Sequence, residues 1–326
     1  TNVAVLNMML HFIVKSKLYN ADFVRDRTEG FDNFLKEIER QDVDYLAKVA
    51  GVDKQMVKEA AIAYATAKNS MEFHGLGVTE QEQGSKTVML IADLAMITGN
   101  IGRKGVGVNP LRGQNNVQGA ADMGCQPHQG AGYFEVADEK NQKFYTEKYG
   151  VTHPTKPGLK IPQMFEAAID KELKGLWIIG EDIVQTDPNS AHVVEAMNSL
   201  ELLVVQEIFM SETAKLATVV LPGTTFLEKD GTFTNTERRI QRVNRAVPPL
   251  PGTKPDGVIV TDMMQKLGFD QPTYDADKML KEIADVVPFF KGVTRERLGK
   301  LGLQWPVQED GTDTQILHTE TFKLGK

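Results

Sequence analysis

Three short apolar runs decide the fold of this chain. Residues 174–180 read KGLWIIG, residues 202–207 read LLVVQE and residues 218–222 read TVVLP. Residues 191–200, between the first two runs, carry a helical pattern. Continuous apolar strands that alternate with helices are typical of a parallel sheet covered on both faces. The pattern therefore predicts a doubly wound parallel sheet in this part of the chain.

An earlier portion of the chain carries a strand, a loop and a helix. Residues 71–74 are predicted as a strand, and residues 84–98 as a helix followed by Gly99 at its C′ position. Asp53 is predicted as the N-cap of another helix. The C-terminal helices are expected at residues 256–267, 276–287 and 294–301. The predicted fold class is α/β, with two doubly wound, Rossmann-like parallel-sheet portions and a helical C-terminal extension.

These patterns predict three regions. Residues 1–114 form part of a first α/β domain that includes the loop of Arg112. Residues 115–250 form a second α/β domain, whose strand ends are placed to bind a ligand. Residues 251–326 form a helical extension with an irregular tail.

The composition excludes several classes of function. The chain has 326 residues, of which 41% are hydrophobic and 25% charged, with a net charge of -7. An acidic chain of this kind has no broad attraction to nucleic acid, and no run approaches the ~20 apolar residues of a membrane span. A single cysteine, Cys125, makes neither an intrachain disulfide nor a metal cluster. Without an initial Met or a signal-peptide pattern, we expect a piece of a longer chain.

Residues 99–133 form an unusual segment, rich in Gly, Asn and Gln and poor in apolar residues. Such residues offer directed hydrogen-bond donors and let the backbone approach a ligand closely, so a ligand-lining loop is favoured over a linker. Arg112 stands out within it, because a guanidinium can hold a carboxylate or phosphate through two hydrogen bonds. A structural arginine that binds loop carbonyls is the alternative.

The carboxyl ends of the strands are the expected ligand edge of a parallel sheet. Gly180, Glu181 and Asp182 follow the first of the three runs, Gln206 and Glu207 close the second, and Pro222, Gly223 and Thr224 follow the third.

Several motifs resemble one known family. Residues 109–119 read NPLRGQNNVQG, and together with the other motifs they are similar to formate dehydrogenase catalytic subunits of the molybdopterin oxidoreductase superfamily. The resemblance covers essentially the whole chain. The further matching stretches are GLGVT at 75–79, GEDIVQT at 180–186, VQEIF at 205–209 and GTFTNTERR at 231–239.

The resemblance implies a redox enzyme. Members bind two molybdopterin guanine dinucleotides around one Mo or W, interconvert formate and CO2, and pass electrons to a [4Fe–4S] cluster. The implied partners are formate and electron-transfer subunits or an Fe–S partner, without nucleic acid or membrane contact from this segment. The cytoplasm is the expected location, and the periplasm stays open because we expect the true N-terminus to lie upstream of this chain.

Site residues are carried over by motif. Arg112 matches the catalytic arginine that orients formate, and Gln114 matches a neighbour that lines the pterin pocket. Leu76, Gly77 and Glu80 match a loop that contacts the dinucleotide. The positions that match further dinucleotide contacts are Gly180, Glu181, Thr186, Gln206 and Asp256, the last of them suited to the guanine edge. No metal ligand is expected in this chain.

The chain departs from the family pattern in two positions. Many relatives have Gln where this chain has Glu80, whose charge would repel a diphosphate. Some have Ser where this chain has Gly223, so a hydroxyl contact is expected to be missing.

The metal-ligating Cys or selenocysteine, its neighbouring His and the cluster cysteines belong upstream, and the C-terminal pterin-binding barrel downstream. We therefore expect a central fragment that is inactive alone. The alternatives are a related molybdopterin reductase, such as a nitrate reductase, and a non-catalytic α/β scaffold.

Overall fold

A computed structural model describes residues 1–323, 325 and 326 of the chain. The chain separates into two compact units, each described here by itself. The first unit consists of Thr1–Val117 and Thr314–Lys326, and the second of Gln118–Asp313. The predicted division after residues 114 and 250 stays a prediction.

Helices dominate the first unit. Leu10 and Ile13 of its first helix are fully buried, and they pack in one cluster with Leu94. Asp53 caps a helix as predicted, accepting from the backbone N–H groups of Gln55 (2.8 Å) and Met56 (3.0 Å). The elements are α1 (Asn2–Lys15), α2 (Ala21–Arg27), α3 (Phe31–Glu39), α4 (Val43–Ala50), α5 (Lys54–Thr66), β1 (Met71–His74), α6 (Leu76–Thr79), α7 (Gly84–Ile97) and β2 (Gly107–Pro110).

The two strands of this unit pair in parallel. Met71 of β1 lies opposite Gly107 of β2, and His74 lies opposite Pro110. The sequence patterns predicted β1 but treated residues 99–133 as a loop, so β2 was missed. Its four residues GVNP have neither apolar alternation nor strong strand propensity. The segment becomes a strand because β1 supplies a hydrogen-bonding edge.

The second unit begins close to the start of a short helix and contains the remaining elements. Its first elements are α8 (Val117–Asp122), β3 (Gln129–Gly130), β4 (Phe134–Glu135), α9 (Glu139–Tyr149), α10 (Ile161–Ile169), β5 (Gly175–Ile179), α11 (Ile183–Thr186), α12 (Ser190–Ser199), β6 (Leu202–Glu207), α13 (Glu212–Lys215) and β7 (Val219–Pro222). The later ones are β8 (Gly231–Thr234), β9 (Arg239–Val243), α14 (Asp256–Lys266), α15 (Ala276–Val286), α16 (Arg295–Leu298) and β10 (Leu303–Gln304), with 3₁₀ turns at Phe226–Glu228 and Pro288–Phe290.

The predicted parallel sheet is present in the order β5-β6-β7. Leu203 and Val205 of the central strand β6 are buried and pack with Val193 of α12 and Phe165 of α10. The three apolar runs therefore form strands because their side chains fill a core against helices. The α/β fold class with parallel sheets is confirmed.

A second core of this unit lies around an antiparallel sheet that the sequence did not predict. Strand β9 pairs with both β8 and β10, and the fully buried Ile240 of β9 packs with Leu280 and Leu298 from the C-terminal helices. The predicted C-terminal helices are present, although the last of them, α16, is only four residues long. Each strand here is short and partly polar, so its pattern alone was ambiguous.

A buried polar network joins distant parts of the second unit. Asp122 is 0% exposed and accepts hydrogen bonds from Gln118 (2.8 Å), Tyr133 (2.6 Å) and the indole of Trp305 (2.9 Å). A buried carboxylate is tolerated only when donors surround it. The network therefore anchors α8 to the segment that follows β10.

Among the described helices, none is both long and apolar enough to cross a membrane.

The central strand offers a sharp stability test, because adjacent leucines differ in burial. Leu203 is 2% exposed and Leu202 is 45% exposed. We expect Leu203→Ala to lower the free energy of unfolding by about 2–5 kcal/mol, since it leaves a cavity in the core. Leu202→Ala is the matched control and should cost less than about 1 kcal/mol. Urea denaturation followed by tryptophan fluorescence reports on this unit, because both tryptophans, Trp177 and Trp305, lie in it. Equal losses in the two variants would contradict this packing.

Candidate functional site

The first candidate edge lies where β1 and β2 end side by side in the first unit. The N–H of Leu111 donates to the carbonyl of His74 at 2.7 Å, which extends the parallel ladder beyond Pro110. The segments that follow the two strands therefore start from one edge. These segments carry the predicted site residues of this unit.

Close packing at Gly113 joins the two segments. A Cβ atom at Gly113 would lie 2.9 Å from Cδ1 of Leu76, so a larger residue would force the leucine to move. Arg112 and Gln114 flank this glycine and are exposed. The structure therefore brings the Arg112 segment and the start of α6 together. Glu80 is exposed at the opposite end of α6, and its N–H donates to the carbonyl of Leu76.

A buried carboxyl group supports this edge from within β1. Glu72 accepts a hydrogen bond from the hydroxyl of Tyr64, and its Oε2 atom has no partner among the described residues. Burial raises the pKa of Glu72 to about 7, although the bond from Tyr64 favours the ionised form. The side chain of Asn109 in β2 donates to the backbone carbonyl of Glu72 at 3.3 Å. This bond links β2 to β1 at the position of Glu72.

The second candidate edge lies at the carboxyl ends of β5, β6 and β7. The N–H of Gly180 donates to the carbonyl of Gln206 at 2.9 Å, and the N–H of Gly223 donates to the carbonyl of Glu207 at 3.0 Å. Gly180 has φ of +64°, a conformation that glycine adopts without steric cost. The chain can therefore turn sharply into the loop that carries Glu181.

Two predicted residues of this loop meet directly. The hydroxyl of Thr186 donates to the Glu181 carboxylate at 2.9 Å. Between them, Asp182 accepts from both the N–H (2.9 Å) and the hydroxyl (2.6 Å) of Thr213. Burial by itself would raise the pKa of Asp182, but the hydrogen bonds from Thr213 outweigh it and the pKa lies below its usual value. Asp182 thus ties the loop after β5 to α13, a positioning role that the sequence analysis did not assign.

Two further predicted residues, one buried and one partly exposed, form a hydrogen-bonded pair. Gln206 is 1% exposed, and its Nε2 atom donates to Oδ1 of Asp256 at 2.7 Å. Lys229 donates to the other oxygen, Oδ2. Within the described part of the chain no hydrogen bond joins this group to the Glu181–Thr186 pair, although the backbone bond between Gly180 and Gln206 places both on one edge. The sequence analysis missed Lys229, because a lysine in a charged turn has the pattern of a solvated residue.

Unsatisfied polar atoms at the second edge indicate what it could bind. The Oε1 atom of Gln206 and the hydroxyl of Thr224 are buried and have no partner among the described residues. Buried polar atoms cost free energy unless they are paired, so they point to a ligand that offers complementary groups. The acceptors of Gln206 and Asp256 favour a ligand edge with N–H donors. The described residues hold no cluster of three or more His, Cys, Asp or Glu side chains that could bind a metal ion.

Comparison with known proteins gives a consistent result. Residues 1–266 match the family described as molybdopterin oxidoreductase. Over 325 residues the chain is 43% identical to the F420-dependent formate dehydrogenase subunit alpha of Methanocaldococcus jannaschii, covering 99% of this chain and 48% of that protein. It is 39% identical over 327 residues to formate dehydrogenase H of Escherichia coli, covering 99% and 46% respectively. The chain thus spans about half the length of these curated relatives.

A solved structure shares the fold. The match to acetylene hydratase from Pelobacter acetylenicus covers 90% of this chain and 43% of the hydratase chain, with a TM-score of 0.67 and 18% sequence identity. At this identity the likeness concerns the fold alone.

The buried carboxyl group of β1 predicts a pH-dependent stability. The pKa of Glu72 is about 7 in the folded chain against an ordinary value of 4.5, so folding favours the protonated form. Stability is therefore lost as the pH rises from about 4.5 through 7. We expect Glu72→Gln to raise the melting temperature relative to the unchanged chain at pH 8, with the difference shrinking towards pH 5. Thermal melts followed by circular dichroism at both pH values measure this.

The control for this experiment is Glu29→Gln, which removes an exposed carboxylate of the same unit. It should leave the pH dependence of the melting temperature unchanged. A Glu72→Gln variant that is less stable than the unchanged chain at pH 8 would contradict the burial argument.

Proposed function

Because this chain belongs to the molybdopterin oxidoreductase family, we propose that it forms the central part of a formate dehydrogenase catalytic subunit. The proposed reaction is the oxidation of formate to CO2, a proton and two electrons, or its reverse. The observation that carries the proposal is the identity of 43% and 39% to formate dehydrogenase subunits over 99% of the chain. The exposed Arg112 at the strand edge gives this likeness a chemical basis.

Arg112 is proposed to bind the substrate. Its guanidinium can grip both oxygens of a small carboxylate, which leaves the C–H bond of formate facing away from the protein anchor. The parallel ladder and the packing of Leu76 on Gly113 hold the backbone on either side of this residue. A fixed cation also favours an anionic substrate over a neutral one. Arg112 therefore supplies orientation and charge selection.

The proposed cofactor is molybdopterin guanine dinucleotide with Mo or W, which when bound supplies the two-electron redox chemistry. The residues at the second edge fit such a group. Unsatisfied polar atoms at Gln206 and Thr224, and open space at Gly180, suit a nucleotide that approaches the backbone closely. In the second unit, the residues proposed to bind a dinucleotide are Gly180, Glu181, Thr186, Gln206 and Asp256. In the first unit, taken by itself, the proposed cofactor contacts are Leu76, Gly77, Glu80 and Gln114.

Glu80 is the weakest member of this set. Its carboxylate would repel a diphosphate, and its exposed position at the end of α6 leaves it able to turn away from one. A ribose hydroxyl or an amide is the better proposed partner for this side chain, because both can donate a hydrogen bond to a carboxylate.

Electron transfer is proposed to involve groups outside this chain. The single cysteine, Cys125, cannot build a [4Fe–4S] cluster, so the proposed cluster and its electron-transfer subunits draw their ligands from elsewhere.

The reaction class can be tested on the full-length subunit that contains this chain. We expect formate-dependent reduction of an electron-accepting dye. We expect no nitrate-dependent oxidation of a reduced dye. Nitrate-dependent turnover without formate activity would assign the chain to a nitrate reductase instead. Absence of both activities in a cofactor-loaded subunit would favour the non-catalytic scaffold.

The role of Arg112 predicts a specific kinetic defect. Arg112→Lys keeps the charge but loses the two-pronged geometry, so we expect kcat/KM for formate to fall on the order of 100-fold. Steady-state kinetics of the full-length subunit, with its metal content measured in parallel, check this. Arg40→Lys is the matched control, because Arg40 is exposed and its guanidinium contacts Glu37 and the carbonyl of Lys36, both in the preceding helix. Near-normal kinetics of Arg112→Lys at full metal content would remove Arg112 from the mechanism.

A further inference from the structure

Lys229 stands out among the residues that the sequence analysis did not assign. Its ammonium group pairs with Oδ2 of Asp256, and the two side chains are 28% and 34% exposed. The pair joins residues that are 27 positions apart in sequence. In a half-buried ion pair each charge loses part of its solvation, and close geometry offsets that cost.

The backbone around Lys229 is anchored by its neighbour. Glu228 is 7% exposed and accepts hydrogen bonds from the N–H and the hydroxyl of Thr225, both at 2.8 Å. Its other oxygen accepts from the N–H of Leu250 at 2.9 Å. The base of the Lys229 side chain is therefore held in place, which makes the lysine able to position another group.

Asp256 is restrained on three sides. Lys229 binds Oδ2, Gln206 donates to Oδ1 at 2.7 Å, and a Cβ at Gly223 would lie 3.2 Å from Oδ1. The missing side chain at Gly223 thus gives the carboxylate its space. With both oxygens restrained by donors, the plane of the carboxylate is set.

The arrangement also decides how Gln206 presents its amide. A carboxylate only accepts hydrogen bonds, so the amide must turn its NH₂ group towards Asp256. Its Oε1 atom then has no partner among the described residues, while the side chain is 1% exposed. The edge therefore offers as acceptors the two carboxylate oxygens of Asp256 and the Oε1 atom of Gln206, and a complementary ligand must offer N–H donors.

We propose that Lys229 is a positioning residue that orients the Asp256 carboxylate to select a guanine-type base over an adenine-type base. Guanine offers an imino N–H and an amino group side by side, whereas adenine places a ring-nitrogen acceptor between its amino group and a C–H. A carboxylate in the plane of the base accepts both guanine donors, and the acceptor nitrogen of adenine faces it unfavourably. The inference rests on the proposed function, which assigns a guanine dinucleotide to this edge.

Without Lys229, the bond from Gln206 is the one that remains on the carboxylate among the described residues, and the carboxylate could rotate about its Cβ–Cγ bond. Base selection would then weaken even though Asp256 itself is present. The nearby pair of Lys254 and Asp262 provides a contrast. Its side chains are 60% and 39% exposed, and the ammonium group of Lys254 binds Asp262 at 2.6 Å.

The test is calorimetric titration of the purified chain with GMP, IMP and AMP. We expect the unchanged chain to prefer GMP over AMP by at least about tenfold, because a buried acceptor left unpaired is costly. IMP lacks the amino group and should bind with intermediate affinity. Lys229→Met should lower the affinity for GMP about tenfold and bring the GMP-to-AMP ratio close to one, while Lys229→Arg restores most of the preference.

The matched control is Lys254→Met, which should leave the ratio unchanged. Circular dichroism melts establish that each variant is folded, and Lys229→Gln replaces Lys229→Met if the latter unfolds. A neutral variant that keeps the GMP preference of the unchanged chain overturns the role of Lys229 but leaves the nucleotide site intact. An unchanged chain that binds GMP no better than AMP overturns the assignment of guanine to this edge, and the inference with it.

Discussion

The hydrogen bond from the N–H of Gly180 to the carbonyl of Gln206, 2.9 Å long, completes the carboxyl edge of the main parallel sheet. Parallel strands end at the same edge, so this ladder decides which residues become neighbours. It places the start of the loop that begins at Glu181 beside the backbone of Gln206. The Glu181–Thr186 pair and the contact of Gln206 with Asp256 both depend on this register. The buried Leu203 stabilises β6, the central strand of this sheet.

Both candidate edges use a glycine to bring a distant side chain close to the backbone. In the first unit Leu76 packs over Gly113, and in the second Asp256 lies over Gly223. The family resemblance leads to the expectation of a lost hydroxyl contact at Gly223. The structure adds that the carboxylate of Asp256 uses the space left there. The glycine is therefore part of how Asp256 is positioned, together with Lys229.

Local patterns predicted much of the fold and part of the site. The strands of the main sheet, the cap at Asp53 and the special loop around Arg112 follow from periodicity, capping chemistry and composition, which act over a few residues. Strand β2 was missed because its pairing partner lies more than thirty residues upstream. Asp182 and Lys229 were missed for the same reason, since their partners Thr213 and Asp256 are 31 and 27 residues away.

The sequence by itself determined the α/β class, the positions of the main strands along the chain and the family, because apolar runs and contiguous motifs are local properties. It also singled out Arg112, Gln206 and Asp256. Only the tertiary structure decided that Gln206 and Asp256 share a hydrogen bond, that Lys229 binds the second carboxylate oxygen and that the carboxyl group of Glu72 is buried, with a raised pKa. Such pairings depend on strand register and on the space left by glycines, which form only when distant segments pack together.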